Sequence, residues 1–189
     1  MPKIVDRAFY NGSKLKISRL GLQPLINEVE AILQSFPLLL LEKLHENSAA
    51  AITDEIDSRF RQRDWIGGKS GGIDWKKCVT VNGTQACIGV EVQISGRSEL
   101  IYRDIAHFKI TLVQEGEIDV GVEVVPSDHM SRFITDRTLS FSYAKHIIEE
   151  TLANLIPIVL IAIEHDGVCD QSLVKKVTNI SKRKQPPPA

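Results

Sequence analysis

The dipeptide Asn82-Gly83 lies between two runs of residues that favour β-strands, and it constrains the fold more than any other short segment. Asn-Gly is a preferred pair for the two-residue type I′ turn, which joins antiparallel strands. In such a hairpin Val81 faces Thr84, and counting outward along both strands places Asp74 opposite Glu91. The turn therefore predicts that two acidic residues, distant in sequence, meet across the sheet.

The predicted register brings two carboxylates and an amide onto one patch. Asp74 and Glu91 fall on a rung without backbone hydrogen bonds, where Cα atoms approach to about 4.5 Å. Because side chains alternate along a strand, Gln93 shares their face and the apolar residues 88, 90, 92 and 94 pack on the other. Facing carboxylates repel each other unless a divalent cation lies between them. The alternatives are a bulge that shifts the register, or two solvated acids on an exposed face.

The cysteines and the apolar runs indicate the cellular compartment in which the protein is expected. Cys78 and Cys87 face each other in this register, on a rung that could hold a disulfide. An odd total of three cysteines fits a reducing cytosol, so we expect two free thiols. The N-terminus is too polar for a secretory signal, and the apolar run 155–163 is about half of what a bilayer requires. We expect a cytoplasmic protein without membrane contact.

The remaining chain alternates helical and strand patterns. Apolar residues at helical spacing predict helices from Pro24, from Ala49 to the Gly67-Gly68 break, and at 98–116 and 141–155, with Pro37 kinking or dividing the first. Buried strands are predicted at 118–125 and 157–163, as parallel neighbours or near neighbours. This order indicates an α/β fold in which a mixed central β-sheet is flanked by helices.

Length and charge set further limits. A chain of 189 residues predicts one domain, over residues 1–174, followed by a basic, Pro-rich tail at 175–189 that we expect to be disordered. The formal net charge of −1 argues against a generic nucleic-acid coat protein. It is compatible with a local basic groove beside an acidic metal site, because the two cancel in the sum.

The acidic residues carry a family resemblance. Ile73-Asp74 followed by Glu91-Val92-Gln93 matches the pattern of the PD-(D/E)xK nucleases. The Glu-x-Gln form within IGVEVQ resembles the BglII, BstYI and BamHI group of type II restriction endonucleases. The resemblance spans residues 50–165, through ITDEIDSRFRQRDW upstream and YRDIAHFKI, EIDVGVEVVP and IPIVLIAIE downstream. Asp74 lies farther from Glu91 than is usual in the group, which an elongated hairpin explains. The resemblance implies a restriction-endonuclease-like core.

The resemblance also implies a catalytic site. Asp74 and Glu91 would hold Mg²⁺ with help from the Val92 carbonyl, and the ion would polarise the scissile phosphate and activate a water molecule. Gln93 is neutral and cannot act as a base, so it would position the water or a ligand of the metal. Three histidines are alternative candidates for the base, namely His107, His129 and His146. Lone histidines at helical positions are more often structural or surface residues.

Two segments resemble base-reading segments of the group. Ser95, Arg97 and Ser98 would approach bases in the major groove, although Ser98 serves equally well as a helix cap. Asp136 and Arg137 resemble an acid–guanidinium pair that reads an outer G·C pair, and the alternative is an ordinary surface charge pair.

Lysines are candidates for phosphate contacts. Lys76, Lys77 and the lysines of the tail could neutralise DNA phosphates, which position a protein without specifying sequence. The alternative is that these side chains are simply solvated.

The resemblance predicts a homodimeric, Mg²⁺-dependent type II restriction endonuclease of a prokaryotic cytoplasm, paired with a DNA methyltransferase. It would cut double-stranded DNA at a short palindrome with a GATC core, such as GGATCC, AGATCT or RGATCY, and leave 5′ overhangs. A palindrome is read by a two-fold dimer, with an interface formed by 22–46 or by 98–114. The alternatives are a repair or structure-selective nuclease of the same superfamily, and a non-catalytic DNA-binding module.

Overall fold

A six-stranded mixed sheet organises the protein. The structure, a computed structural model, describes residues 1–67, 72–94, 97–135, 137–151 and 156–173. The sheet has the order β1-β7-β6-β5-β4-β3, in which β5, β6 and β7 are parallel and the other pairs are antiparallel. Its strands are β1 (Lys3–Phe9), β3 (Ile66–Gly67), β4 (Trp75–Val81), β5 (Thr84–Val92), β6 (Val120–Pro126) and β7 (Ile158–Glu164). The predicted parallel pairing of β6 with β7 is confirmed.

Helices cover both faces of this sheet. They are α1 (Ser13–Arg19), α2 (Gln23–Leu33), α3 (Ala49–Arg61), α4 (Leu100–Lys109) and α5 (Phe141–Thr151). One apolar cluster joins α2 and α3 to Ile88, Val90 and other residues on the same face of the strands. A second cluster joins α4 and α5 to the opposite face, which includes Leu160. The predicted α/β fold with a mixed, helix-flanked sheet is confirmed.

The hairpin forms as the Asn-Gly turn predicts. Asn82 and Gly83 both have positive φ, 51° and 79°, as a type I′ turn requires. Strands β4 and β5 pair from Val81 opposite Thr84 to Trp75 opposite Val90 without a register shift. A bulge between Asn82 and Asp74 is therefore ruled out.

The same register joins two cysteines. Cys78 and Cys87 face each other with Cα atoms 4.0 Å apart, and their sulfur atoms form a disulfide. The expectation of two free thiols is wrong. It rested on the redox state of the cytosol, whereas the rung itself holds the two side chains close enough to bond. In the described part of the chain Cys169 is a free thiol.

Helix α4 lies unusually close to the sheet. A Cβ atom on Gly121 of β6 would come within 2.7 Å of the Phe108 ring, so the absence of a side chain lets α4 approach. Phe108 is completely buried in this position. The close approach brings the inner face of α4 against the face of β5 that carries Glu91.

Several boundaries differ from the predicted ones. Helix α2 ends at Leu33, before Pro37, and α3 ends at Arg61, with the short strand β3 following it. Five strands and helices were not predicted: β3, β1, α1, and the two-stranded parallel sheet of β2 (Leu39–Leu40) and β8 (Gly167–Val168). Strand β1 lies at the sheet edge, and most of its residues are exposed, so it lacks the apolar alternation that marks a strand.

Two expectations concern the chain as a whole. The predicted tail at 175–189 lies outside the described residues, and the division into one domain plus a tail stays a prediction. Among the helices that the structure describes, none combines the length and the apolar character needed to cross a membrane.

Candidate active site

The hairpin brings the two predicted carboxyl groups into contact. Asp74 directly precedes β4, and its carboxyl group lies close enough to Glu91 in β5 to raise the pKa of Glu91, by its charge and by a side-chain hydrogen bond. Asp74 Oδ2 also accepts a hydrogen bond from the Val92 backbone N–H, at 3.0 Å. Glu91 is almost fully buried, with 1% of its surface exposed. The predicted meeting of Asp74 and Glu91 on one face of the sheet is confirmed, and the alternative of two solvated acids is not observed.

Helix α4 adds an acid and a histidine. Asp104 and His107 are three residues apart, which places them on one face of the helix, above Glu91. His107 Nδ1 lies 2.9 Å from Glu91 Oε1. One ligand atom from each of Glu91, Asp104 and His107 lies within 4.8 Å of the others. Arg103, on the same helix, donates from its guanidinium nitrogens to Asp104 Oδ1, at 3.2 and 3.0 Å.

A fourth carboxyl group lies beneath this cluster. Glu123 of β6 is the direct neighbour of Glu91 in the parallel register, and it is 1% exposed. Neither of its carboxyl oxygens finds a hydrogen-bond partner among the described residues, and the same holds for Asp104 Oδ2. Burial of polar atoms without partners costs free energy. A cation or a proton is therefore needed to neutralise the negative charge of this cluster.

The pKa values of the acids reflect this crowding. Burial, followed by the negative charges of Asp74 and Asp104, raises the pKa of Glu91 to about 10. Burial also raises the pKa of Asp104 to about 6, although its hydrogen bond with Arg103 acts in the opposite direction. The pKa of Glu123 is raised well above its usual range, first by burial and then by the charge of Asp104. Without a cation, the cluster therefore retains protons.

His107 is kept neutral in this environment. Burial lowers its pKa, and the positive charge of Arg103 lowers it further, although the charge of Asp74 acts in the opposite direction. A neutral imidazole with Nδ1 bonded to Glu91 orients that carboxyl group. His107 therefore contacts the acidic cluster, and its role as a base stays a prediction, whereas His146 is exposed and lies near Glu150.

Gln93 is buried directly after β5, the strand that carries Glu91. It is 3% exposed, and its backbone N–H continues the ladder to the Val124 carbonyl at 2.9 Å. Its amide Nε2 donates to the Arg97 carbonyl at 3.2 Å. The side chain thus connects β5 to the segment that leads into α4.

Helix α3 brings a further acid to the edge of the site. Asp57 accepts a hydrogen bond from Trp75 Nε1 at 3.0 Å. Burial raises the pKa of Asp57, the bond from Trp75 lowers it, and the charge of Asp74 raises it again. Asp57 was not predicted as a site residue, because nothing in its helical spacing distinguishes it from a surface acid.

The two segments predicted to read bases lie side by side. The Ser98 N–H donates to the Arg137 carbonyl at 3.1 Å, and Arg97 and Arg137 are both exposed. The cap residue of α4 is Glu99, so the alternative role of Ser98 as the helix cap is not observed. Two further candidates, Ser95 and Asp136, lie outside the described residues.

Both predicted phosphate-binding lysines already have acidic partners. Lys76 Nζ lies 2.9 Å from Glu117, and Lys77 Nζ lies 2.8 Å from Glu28. Each lysine would have to leave its partner to neutralise a DNA phosphate, so a DNA contact at either position stays a prediction.

Sequence reasoning missed Asp104 and Glu123, although a signal for Glu123 was present. The tetrapeptide Gly-Val-Glu-Val occurs at 89–92 and again at 121–124. These segments are neighbouring parallel strands in register, so their two glutamates lie side by side. For Asp104 the three-residue spacing to His107 was the available signal.

The mixed sheet, its flanking helices and the acidic site on the sheet define a restriction-endonuclease-like α/β fold. A family model described as restriction endonuclease BglII/BglIII matches residues 9–163. The chain belongs to this family and is a type II restriction endonuclease, a site-specific deoxyribonuclease that binds double-stranded DNA. A search of curated proteins gives no match. The family assignment decides against the repair nuclease and the non-catalytic DNA-binding module.

The donor set suits a divalent cation. Enzymes of this kind typically use a divalent metal ion, and hard cations bind carboxylate oxygens. Glu91 and Asp104 offer such oxygens within 4.8 Å of each other and of His107, the unpartnered oxygen of Asp104 is available for a ligand, and Asp74 lies beside Glu91. The residues present therefore fit the ion.

Stability of the metal-free protein should depend on pH through Glu91. The folded state holds a proton on Glu91 up to a pKa of about 10, whereas the unfolded chain releases it near 4.5. The stability that protonated Glu91 contributes is therefore fully present below pH 4.5, and it is lost as the pH rises through the folded-state pKa of about 10. The free energy of unfolding, measured with denaturant in the presence of a chelator, should fall by up to about 1.4 kcal/mol per pH unit for this group.

Glu91→Gln should reduce this slope because it removes one titrating group of the cluster, whereas Asp104 and Glu123 keep their raised pKa values. The matched control is Glu150→Gln, at an exposed glutamate, which should retain the slope of the unmodified protein. An unchanged slope in Glu91→Gln would contradict the placement of Glu91 in a proton-retaining cluster.

Proposed function

We propose that this endonuclease hydrolyses DNA with Mg²⁺ held by Asp74, Glu91 and the backbone carbonyl of Val92. The observation that carries the proposal is the contact between the Asp74 and Glu91 carboxyl groups within a buried acidic cluster. When bound, Mg²⁺ supplies Lewis acidity that polarises the scissile phosphate and lowers the pKa of the attacking water.

The surrounding residues orient these two acids. The Val92 N–H fixes one oxygen of Asp74, and the His107 imidazole fixes one oxygen of Glu91. The proposal assigns the other oxygen of each acid to the cation. Gln93 is neutral and takes up no proton, so its role in the proposal is to position the water or a ligand of the metal.

DNA recognition is assigned to the two segments that meet beside the site. Arg97, Ser98 and Arg137 are the described candidates for base contacts, and the exposure of the two arginines supports the proposal. Ser95 and Asp136 complete the proposed set by their positions in the sequence. The proposed target is a palindrome with a GATC core, cut to leave 5′ overhangs.

A palindromic target calls for two-fold symmetry, so we include a homodimer in the proposal. Tyr102 and Ile110 are exposed apolar residues of the 98–114 segment, and Tyr143 on α5, which packs against α4, adds a third. Leu39 and Leu44 are exposed apolar residues of the 22–46 segment, so both segments stay candidates for the interface. A partner DNA methyltransferase and a prokaryotic cytoplasm belong to the same proposal, since such an enzyme must spare the DNA of its own cell.

Glu91→Ala should abolish cleavage but retain DNA binding, because it removes a metal ligand and not a base contact. The measurement is digestion of a sequenced plasmid with Mg²⁺, with the fragment ends mapped. The unmodified protein should give discrete fragments with 5′ overhangs at one palindrome. Glu150→Ala, at an exposed glutamate of α5, is the matched control and should cut normally. Cutting by Glu91→Ala would refute the role of Glu91, and a smear of fragments would refute the palindrome.

Arg137→Ala should weaken binding to the cognate site by about 1–3 kcal/mol, the range for loss of a bidentate base contact. The measurement is a gel shift without metal on cognate and random duplexes. Arg19→Ala, at an exposed arginine that ends α1, serves as the control and should bind both duplexes normally. An equal loss on random DNA would identify Arg137 as a phosphate contact instead.

A further inference from the structure

A second group of metal-binding side chains lies at the edge of the sheet where β6 and β7 end. These parallel strands finish together, with Pro126 opposite Ile163. His129 follows β6, and Glu164 and His165 stand at the end of β7. One ligand atom from each of His129, Glu164 and His165 lies within 4.8 Å of the others. None of these residues belongs to the acidic cluster around Glu91.

The histidine nitrogens converge on a single carboxyl group. His129 Nδ1 lies 3.3 Å from Glu164 Oε2, and His165 Nδ1 faces Glu164 Oε1. His165 is 4% exposed in its side chain, yet its Nδ1 makes no aligned hydrogen bond with any atom in the described ranges. A buried ring nitrogen without such a bond is a rare arrangement, and it points towards a missing ligand.

The other nitrogen of His165 has a carboxylate partner. His165 Nε2 lies 3.1 Å from Glu42 Oε1, so a neutral ring carries its proton on Nε2 and a lone pair on Nδ1. That lone pair faces a carboxylate oxygen, so the repulsion between these two acceptors must be offset by a proton that they share or by a metal ion that both bind. A histidine that donates one N–H to a carboxylate while the other nitrogen binds a metal is the usual arrangement in metalloproteins.

The shared carboxylate is itself held in place. Ser127 Oγ donates to Glu164 Oε2 at 2.6 Å, and the His165 backbone N–H donates to Glu164 Oε1 at 3.0 Å. Supporting hydrogen bonds of this kind orient a ligating carboxylate towards its metal. The ligands of the site are therefore oriented by their neighbours.

We propose that His129, Glu164 and His165 form a binding site for a divalent transition metal of the zinc class. Two imidazoles and one carboxylate suit Zn²⁺, and a water molecule completes the four-coordinate shell. Mg²⁺ is a poor competitor here because it prefers oxygen ligands. The competing explanation is a protonated His165 that bridges Glu42 and Glu164 without a metal.

Metal binding here would fix the segment that leads to the proposed base-reading residue Arg137. Phe133 packs edge-on against both imidazoles, with centroid distances of 5.0 Å to His129 and 5.9 Å to His165. The Phe133 carbonyl is held in turn by the backbone N–H of Asn47, at 3.0 Å, and by its side-chain amide, at 2.8 Å. The ion would thereby link the chain after β6 to the end of β7. The metal site itself does not depend on the proposed catalytic function.

The test titrates Co²⁺, a spectroscopic substitute for Zn²⁺, into the metal-free full-length protein. We expect one equivalent to bind with the intense visible absorption of four-coordinate Co²⁺, and Zn²⁺ should displace it. The Asp74→Asn/Glu91→Gln double variant should retain this signal, because it changes two proposed catalytic acids and leaves His129, Glu164 and His165 in place. His146→Ala, at an exposed histidine, should also retain it.

Variants of the site separate the two explanations. His129→Ala alters a half-exposed side chain and should fold normally, with the same thermal midpoint as the unmodified protein when metal is absent. It should lose the Co²⁺ absorption and the rise in thermal midpoint that Zn²⁺ causes. Glu42→Gln should weaken Co²⁺ binding by about 10–100-fold. Absence of the four-coordinate spectrum, or its persistence in His129→Ala, would overturn the proposal.

Discussion

The close approach of the Asp74 and Glu91 carboxyl groups is the interaction on which the proposed active site depends. Two neighbouring carboxyl groups can both be ionised only if a cation lies between them. Without a cation they share a proton. The two-residue turn at Asn82-Gly83 creates the contact by fixing the pairing of β4 with β5. A slip of one residue would send Glu91 to the opposite face of the sheet, among apolar side chains. A short local sequence thus determines where the proposed catalytic acids lie.

The rest of the fold surrounds this contact with low-dielectric protein. Gly121 lets α4 approach the sheet, so that Asp104 and His107 lie over Glu91 while Glu123 lies beside it. Placing four carboxyl groups, three of them buried, near one arginine opposes folding, and the apolar packing on both faces of the sheet offsets this cost. A cation relieves the repulsion. The arrangement therefore favours the binding of a cation at the place where we propose that the DNA phosphate is activated.

The sequence predicts those parts of the molecule in which local pattern and burial agree. The hairpin, the parallel strands β6 and β7 and the meeting of Asp74 with Glu91 follow from turn chemistry and alternation. Edge strand β1 has too little apolar alternation to be recognised, and the Cys78–Cys87 disulfide depends on local geometry, not on the cellular compartment. Asp104 and Glu123 join the site through tertiary packing, which periodicity does not reveal. Side-chain clusters that form where helices and strand ends meet can be recognised only in the three-dimensional structure.

The most direct test of the account is anomalous X-ray scattering from crystals of the full-length protein soaked in Mn²⁺, which takes oxygen ligands much as Mg²⁺ does. The account predicts an anomalous peak within coordination distance of carboxylate oxygens from both Asp74 and Glu91. A peak bonded to neither acid, or an electron-density map in which the two side chains point to opposite faces of the sheet, would contradict it.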